Sequence, residues 1–126
     1  MDTAKIQSFT DLIVWQKGHE LVLEVYRMTK KFPKEELFAL VSQIRRAVVS
    51  VTSNIAEGFG RTSKKEKLHF YSFAYGSLLE VRNQLFVAKD LNYIAENEFI
   101  QVSDCAIEIS KMLQGLMKKI NLSPSY

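Results

Sequence analysis

The side chains with the greatest potential for chemistry are two histidines, one cysteine and the carboxylates near them. Glu66 and His69 form a Glu-x-x-His motif. Ferritin-like bundles use this motif on two helices, with a glutamate from each of the other two, to hold a pair of metal ions. The second histidine, His19, has Gln16 rather than a glutamate at that spacing. The ligand set is therefore incomplete, and the sequence predicts neither a metal site nor a cofactor.

Nucleophilic catalysis has no better support in the sequence. Cys105 is adjacent to Ala106 in an apolar helical row, where packing is the usual role of a free thiol. His19 lies in a similar row and is expected to be a histidine of a helix–helix seam with a hydrogen-bond partner. Gly58 and Gly60 indicate the end of a helix rather than a phosphate-binding loop. The prediction is a non-enzymatic protein with no catalytic residues and no small-molecule substrate.

Six basic residues form the strongest candidate for ligand binding. They are Arg61, Lys64, Lys65, Lys67, Lys118 and Lys119. The whole chain carries a formal net charge of +3, and basic surfaces attract nucleic acids and other anions. A solvated surface that aids solubility is the alternative interpretation. Since nothing in the pattern reads base edges, we predict RNA or DNA binding that is directed at the backbone and sensitive to salt.

A second polar pattern runs along the helix that precedes this cluster. It consists of Gln43, Arg46, Ser50, Asn54 and Glu57. These residues step by three or four and lie on one line, roughly 140° from the apolar stripe of the same helix. A plain solvated face is one interpretation. The other is an oligomer interface, which we predict because the short side chains near Ser50 would let another helix approach closely.

The elements that position these residues are helices, because glycine and proline are scarce and apolar residues recur at three- and four-residue steps. The predicted helices span about 11–31, 34–59, 63–91 and 96–120. Thr10 is the expected N-cap of the first helix, Pro33 suits the first turn of the second, and Ser63 opens a capping box with Glu66. The β-branched run Val48–Thr52 would suit a strand, but the helical stripe continues on both sides of it.

Short connections between these helices force sequential neighbours to run antiparallel. The predicted fold class is therefore all-α, an antiparallel up-down-up-down four-helix bundle, with residues 1–126 forming a single domain. This topology brings the loop between helices 2 and 3 and the end of helix 4 to one end of the bundle. The six basic residues would gather there, beside the positive end of the helix 3 dipole.

Compartment signals point to the cytoplasm. The N-terminal residues lack the basic and apolar regions of a secretory signal. The longest charge-free stretches fall far short of the ~20 residues that a membrane span needs. A single cysteine makes no intrachain disulfide. We expect a cytoplasmic protein with no membrane partner.

Several blocks of the sequence resemble one bacterial family, the 23S ribosomal RNA intervening-sequence proteins. The blocks are Asp11-Leu12-x-Val14-Trp15-Gln16-Lys17, Ser42-Gln43-Ile44-Arg45-Arg46-Ala47, Asn54-Ile55-Ala56-Glu57-Gly58-x-Gly60-Arg61, Lys64-x-Glu66, Gly76-Ser77-Leu78-x-Glu80 and Ala88-Lys89-Asp90-Leu91. The resemblance extends from about Phe9 to Ile120 and covers nearly the whole chain.

The resemblance implies a cytoplasmic four-helix bundle that assembles as a ring-shaped homopentamer. It also implies, through a related branch that accompanies retroelement reverse transcriptases, nucleic-acid binding by a basic surface. For most members of the family the biochemical role is not established. Two functions remain open on these grounds: a homo-oligomer that binds RNA or DNA, and an oligomeric scaffold that binds a protein partner and no nucleic acid.

Overall fold

Four α-helices account for most of residues 5–123, which are the residues that the computed structural model describes. Two 3-10 turns, Phe9–Asp11 and Lys34–Glu36, precede the first and second helix. The α-helices are α1 (Ile13–Thr29), α2 (Leu40–Gly60), α3 (Lys64–Asp90) and α4 (Glu96–Asn121). No strand occurs within the described range, so the β-branched centre of α2 is helical, as the stripe on either side of it predicts.

Contacts between neighbouring helices show that they run antiparallel. Ser50 of α2 meets Ser77 of α3, with 2.8 Å between the two hydroxyl oxygens. Arg61, directly after the end of α2, lies over the ring of Phe70, which comes earlier in α3 than Ser77. The other neighbouring helices also pair in reversed order. In α1 and α2, Gly18 lies near Thr52 and Thr29 near Arg45; in α3 and α4, Ser72 lies near Met117 and Phe86 near Phe99. Lys17 of α1 pairs with Glu108 of α4, and Lys31, just after α1, pairs with Glu98 near the start of α4. The predicted up-down-up-down bundle is therefore confirmed.

The apolar core lies along the axis of the bundle and draws on all four helices. Its fully buried side chains include Leu21, Val25, Ile44, Val48, Val51, Ile55, Leu78, Val81, Leu85, Ile109 and Leu113. Full burial of each such side chain is worth about 1.5–3 kcal/mol relative to its exposure. On α1, Leu21 and Val25 belong to the buried face, and Trp15 and Val22 pack at the edge of the core.

The first helix begins later than the predicted residue 11 and ends earlier than residue 31. Its first α-helical residue is Ile13, because a 3-10 turn occupies Phe9–Asp11. The cap of that turn is Ser8 rather than Thr10. The hydroxyl of Ser8 accepts from the Thr10 amide at 3.3 Å, and the Asp11 carboxylate accepts from the Ser8 amide at 3.1 Å.

The predicted start of the second helix at residue 34 is wrong, since α2 begins at Leu40. The reason is a pair of hydrogen bonds to the Glu36 carboxylate. One of its oxygens accepts from the Leu40 amide at 3.3 Å, and the other accepts from the Tyr93 hydroxyl at 2.7 Å. Tyr93 lies in the connection between α3 and α4, so a distant part of the chain fixes this helix start. The break leaves Phe38 92% exposed.

Candidate nucleic-acid interface

The structure brings the six predicted basic residues to one end of the bundle. Lys64, in the first turn of α3, donates to the backbone oxygens of Asn121 and Ser123 at 3.0 and 2.9 Å, which joins the start of α3 to the end of α4. The 3-10 turn before α1 packs against α2, and Phe9 lines a small cleft with Glu57, Gly60 and Arg61. This end, with its six basic residues, is called the basic end below.

Two of the five lysine side chains of the basic end are engaged with helix ends. Lys67 donates to the carbonyl oxygens of Gly58 and Phe59 at 3.2 and 3.0 Å, where α2 ends. Lys64 does the same for α4 through Asn121. A cation at the negative end of a helix dipole stabilises that end. Burial lowers the pKa of Lys67 below its ordinary value, and its ammonium group is only partly accessible to a ligand.

Arg61 has one ion pair and one aromatic contact within the chain. Its Nη2 lies 2.8 Å from Oε2 of Glu57, one turn earlier on α2. Its guanidinium also lies 4.7 Å from the ring centroid of Phe70. The side chain is still 41% exposed. Since a guanidinium has five N–H donors, Arg61 keeps donors that can face a phosphate.

The remaining three cations are Lys65, Lys118 and Lys119, and all three are exposed. Among the described residues, no hydrogen bond or ion pair engages their ammonium groups. Glu66 directly follows Lys65, whereas the segment from 109 to 121 around Lys118 and Lys119 contains no carboxylate side chain. The three ammonium groups are thus the cations of the basic end that a polyanion can reach most directly.

The start of α3 contributes less to anion binding than its dipole alone suggests. The hydroxyl of Ser63 accepts from the Glu66 amide at 3.1 Å. The Glu66 carboxylate lies 3.3 Å from the same hydroxyl rather than on the Ser63 amide, so only half of the predicted capping box forms. The negative charge of Glu66 offsets part of the helix dipole there. Attraction for phosphate therefore depends on the lysine side chains.

A group of aromatic rings lies one and two turns after the exposed Lys65 on α3. The ring centroids of His69 and Phe73 are 4.4 Å apart in an edge-to-face arrangement, and Phe70 lies 5.4 Å from His69. Phe73 is 52% exposed. The sequence prediction of the basic end did not include these rings. Lys65, His69 and Phe73 are spaced four residues apart, which places all three on one face of the helix. This spacing could have predicted from the sequence that the rings lie beside Lys65.

The structure shows the surroundings of the histidines and of the cysteine. His19 is exposed and stacks on Trp15, with 4.8 Å between ring centroids, so the prediction of a seam histidine with a hydrogen-bond partner is wrong. Cys105 packs against the core as predicted, and burial, followed by the nearby Glu24 carboxylate, raises the pKa of its thiol to about 11. Within residues 5–123, no three His, Cys, Asp or Glu side chains lie together as metal ligands would.

The polar line on α2 lies beside the seam with α3. Its central residue Ser50 meets Ser77 of α3, and Asn54 donates to the Ser50 backbone oxygen at 2.8 Å. The short side chains predicted to admit a helix of another subunit thus admit α3 of the same chain. Gln43, Arg46 and Glu57 remain exposed, and the oligomer interface at this line stays a prediction.

An open groove follows the exposed part of that line. It has a volume of about 530 Å³, and its lining includes Phe38, Gln43, Arg46, Ser50, Ser77 and Glu80. Three of these six belong to the predicted interface. The nearly fully exposed ring of Phe38 stands at one end of the groove, where water contacts most of its surface.

No helix in the described part of the chain is both long and apolar enough to cross a membrane.

Comparison with known proteins identifies a family and similar solved structures. Residues 10–115 match the family described as 23S rRNA-intervening sequence protein. The crystal structure of a protein of unknown function from the S23 ribosomal protein family of Bacteroides thetaiotaomicron superposes with a TM-score of 0.79 at 22% sequence identity. The alignment covers 84% of this chain and 96% of that one, and it supports the fold alone. No curated protein matches the chain significantly.

Proposed function

Because this chain belongs to the 23S rRNA-intervening sequence protein family, we propose that it is a non-enzymatic, homo-oligomeric bundle that binds RNA or DNA through its basic end. The observation that supports binding most strongly is the group of three exposed lysines, Lys65, Lys118 and Lys119, at the end where Arg61, Lys64 and Lys67 also lie. A cytoplasmic location belongs to the same proposal. The one cysteine, Cys105, is a free thiol, and free thiols are usual in a reducing compartment.

The mode of binding follows from the chemistry of the exposed groups. Lysine ammonium groups pair with phosphates as point charges and release condensed counterions, which gives affinity with little dependence on sequence. Lys64 and Lys67 add to the positive potential while they hold the helix ends. Arg61, with free N–H donors, is placed to add a phosphate contact at the border of the site.

Assembly into a homo-oligomer is supported by exposed apolar side chains just before α2 and on α3. Phe38 is 92% exposed, and Leu79 and Val87 of α3 are each at least 40% exposed. Contact with another copy of the chain would remove such apolar side chains from water. In a ring of identical subunits, each subunit would present its own basic end, so several weak sites would act together on one polyanion.

The direct test is nucleic-acid binding by variants that remove the free charges. Replacing Lys65, Lys118 and Lys119 with Gln should weaken binding of a labelled structured RNA by roughly tenfold or more at low salt. Fluorescence anisotropy would measure the affinity. The matched control replaces Arg27, Lys30 and Lys34, three exposed cations of the opposite end, and should leave affinity nearly unchanged. Equal losses in both variants would reject the basic end as the site.

A protein-binding scaffold is the second candidate, and the observation that favours it is the exposed ring of Phe38 beside the polar groove. Capture of partners from lysate with and without nuclease separates the two functions. Partners that persist after nuclease treatment, together with no binding of purified RNA or DNA, would favour the scaffold.

A further inference from the structure

The aromatic side chains beside the free lysines have little intramolecular packing to explain their position. Phe73 is 52% exposed, and its ring and that of the exposed His69 pack edge-to-face. Phe86 of the same helix has a similar exposed fraction, 50%, but packs edge-to-face on Phe99 at 5.0 Å and so has a structural role. The ring pair His69–Phe73 therefore offers faces that a ligand can use.

An open concavity lies beside the ring pair and includes His69, while Phe73 lies outside its lining. Lys65, Glu66, Leu68, His69 and Ser72 line this concavity of about 550 Å³, a size found for small-ligand sites. One cation lines this concavity, and others belong to the neighbouring helix ends. Lys65 belongs to its lining, and Ser72 Oγ lies 3.7 Å from Met117 Sδ of α4, the residue that precedes Lys118. On the side of α2, Arg61 lies over Phe70.

We propose that this surface, formed by His69 and Phe73 with Lys65 and Lys118 beside them, binds single-stranded nucleic acid by stacking unpaired bases on the two rings. The inference rests on the proposed function and names its substrate class. Exposed aromatic rings set among lysines are the recurrent means of binding single strands, because every base has a π-face to stack and every nucleotide a phosphate to pair. A duplex keeps its base faces stacked inside and gains only the phosphate contacts.

Charge distinguishes this occupant from a second copy of the chain. The basic end holds six cations against Asp11, Glu57 and Glu66 in the same segments, so two copies meeting there would repel each other. A polyanion is attracted by the same charges. Glu66 also lines the concavity, and its carboxylate repels a phosphate but not an uncharged base. Bases should therefore lie over the rings, and phosphates should lie over Lys65 and Lys118.

The test compares three probes and two substitutions at one position. The probes are a short DNA single strand, its duplex, and an abasic strand of the same length that carries phosphates without bases. Phe73→Leu keeps apolar bulk but removes the π-face, and Phe73→Trp restores an aromatic ring. We expect Phe73→Leu to weaken binding of the single strand by about fivefold or more, with duplex and abasic binding unchanged. Phe73→Trp binds the single strand at least as tightly as the original protein.

The outcomes separate this inference from the proposed function. If Phe73→Leu binds all three probes like the original protein while the Lys65, Lys118 and Lys119 variant loses affinity for all three, stacking is wrong and the proposed function stands. If the original protein binds none of the probes at low salt, the proposed function fails as well. If Phe73→Leu lowers the mass of the assembly on a sizing column without changing affinity, the ring belongs to a contact between copies and the stacking inference is overturned.

Discussion

At the scale of single residues, the lysines of the basic end have two distinct roles. Lys64 and Lys67 donate to backbone carbonyl oxygens where α4 and α2 end, and such bonds hold the helix ends in place. Lys65 and Lys118 project into solvent. The sequence predicts where these cations gather but not how they divide, because the division depends on where the carbonyl oxygens of other helices come to lie.

Two glycines of the bundle make a matched pair for a stability measurement. A Cβ on Gly58 would lie 2.6 Å from a ring carbon of the buried Tyr71, whereas a Cβ on Gly76 meets nothing within 4 Å. Gly58→Ala should therefore lower the free energy of unfolding by about 1–3 kcal/mol through overpacking. Gly76→Ala should raise it by about 0.5–1 kcal/mol, because alanine is the better helix former.

Urea denaturation followed by circular dichroism measures both variants. Equal stability of the two would contradict the close approach of α2 and α3 at Gly58.

The thiol of Cys105 is expected to react slowly. Its pKa is raised to about 11, first by burial and then by Glu24 and Glu20. At about pH 8 only about one molecule in a thousand carries the thiolate, so reaction with Ellman's reagent should be far slower than for the same chain in urea. The raised pKa also means that the thiol contributes stability below about pH 9, and that this contribution is lost as the pH rises towards 11. Equal rates in the folded and unfolded chain would contradict the burial of the thiol.

At the scale of the helices, the elements with local signals were the ones that sequence could predict. Predicted bounds for α3 and α4 differ from the structure by about one residue, because Ser63 caps α3 and the apolar period of α4 is regular. The predicted start of α2 was six residues too early. The Glu36 carboxylate accepts a hydrogen bond from Tyr93, 57 positions away in the chain, and local sequence carries no signal of so distant a contact. The same distinction holds for the candidate site. The gathering of the basic residues could be predicted from short connections, whereas the contact of Ser50 with Ser77 depends on how α2 and α3 are aligned along their length.

The end of α2 provides a prediction about capping by a side chain. Lys67→Met removes both hydrogen bonds to the Gly58 and Phe59 carbonyls and should lower the free energy of unfolding by about 1–2 kcal/mol. Lys65→Met, two positions earlier and exposed, should stay within about 0.5 kcal/mol of the original protein. Denaturant titration gives both values. A Lys65 variant that loses as much stability as the Lys67 variant would show that the distinction between the two lysines is mistaken.

At the scale of the whole molecule, the bundle separates its charged end from its exposed apolar flank. The basic end lies where α2 passes to α3, and Phe38 stands at the opposite end, where the break before α2 leaves it 92% exposed. A polyanion can therefore occupy one surface while neighbouring copies occupy the other. Short connections made the topology predictable, but the exposure of Phe38 followed only from the unpredicted break.

Assembly is tested by the mass of the protein in solution. Light scattering on a sizing column should give a multiple of the 14.5 kDa chain mass. Phe38→Ser should reduce that mass, because it removes the most exposed aromatic ring from the proposed contact. Leu122→Ser is the control, since Leu122 is 78% exposed at the basic end and lies outside that contact. A 14.5 kDa species for the original protein at working concentrations would refute the oligomer.

The salt dependence of nucleic-acid binding tests the central claim most directly. Affinity for RNA measured across a series of salt concentrations should fall steeply, with a slope that loses about 0.7–0.9 for each phosphate contact removed. Replacing Lys65, Lys118 and Lys119 with Gln should therefore flatten the slope by about 2–3 for each basic end engaged. A slope near zero for the original protein, or an unchanged slope for the variant, would contradict binding of nucleic acid by the basic end.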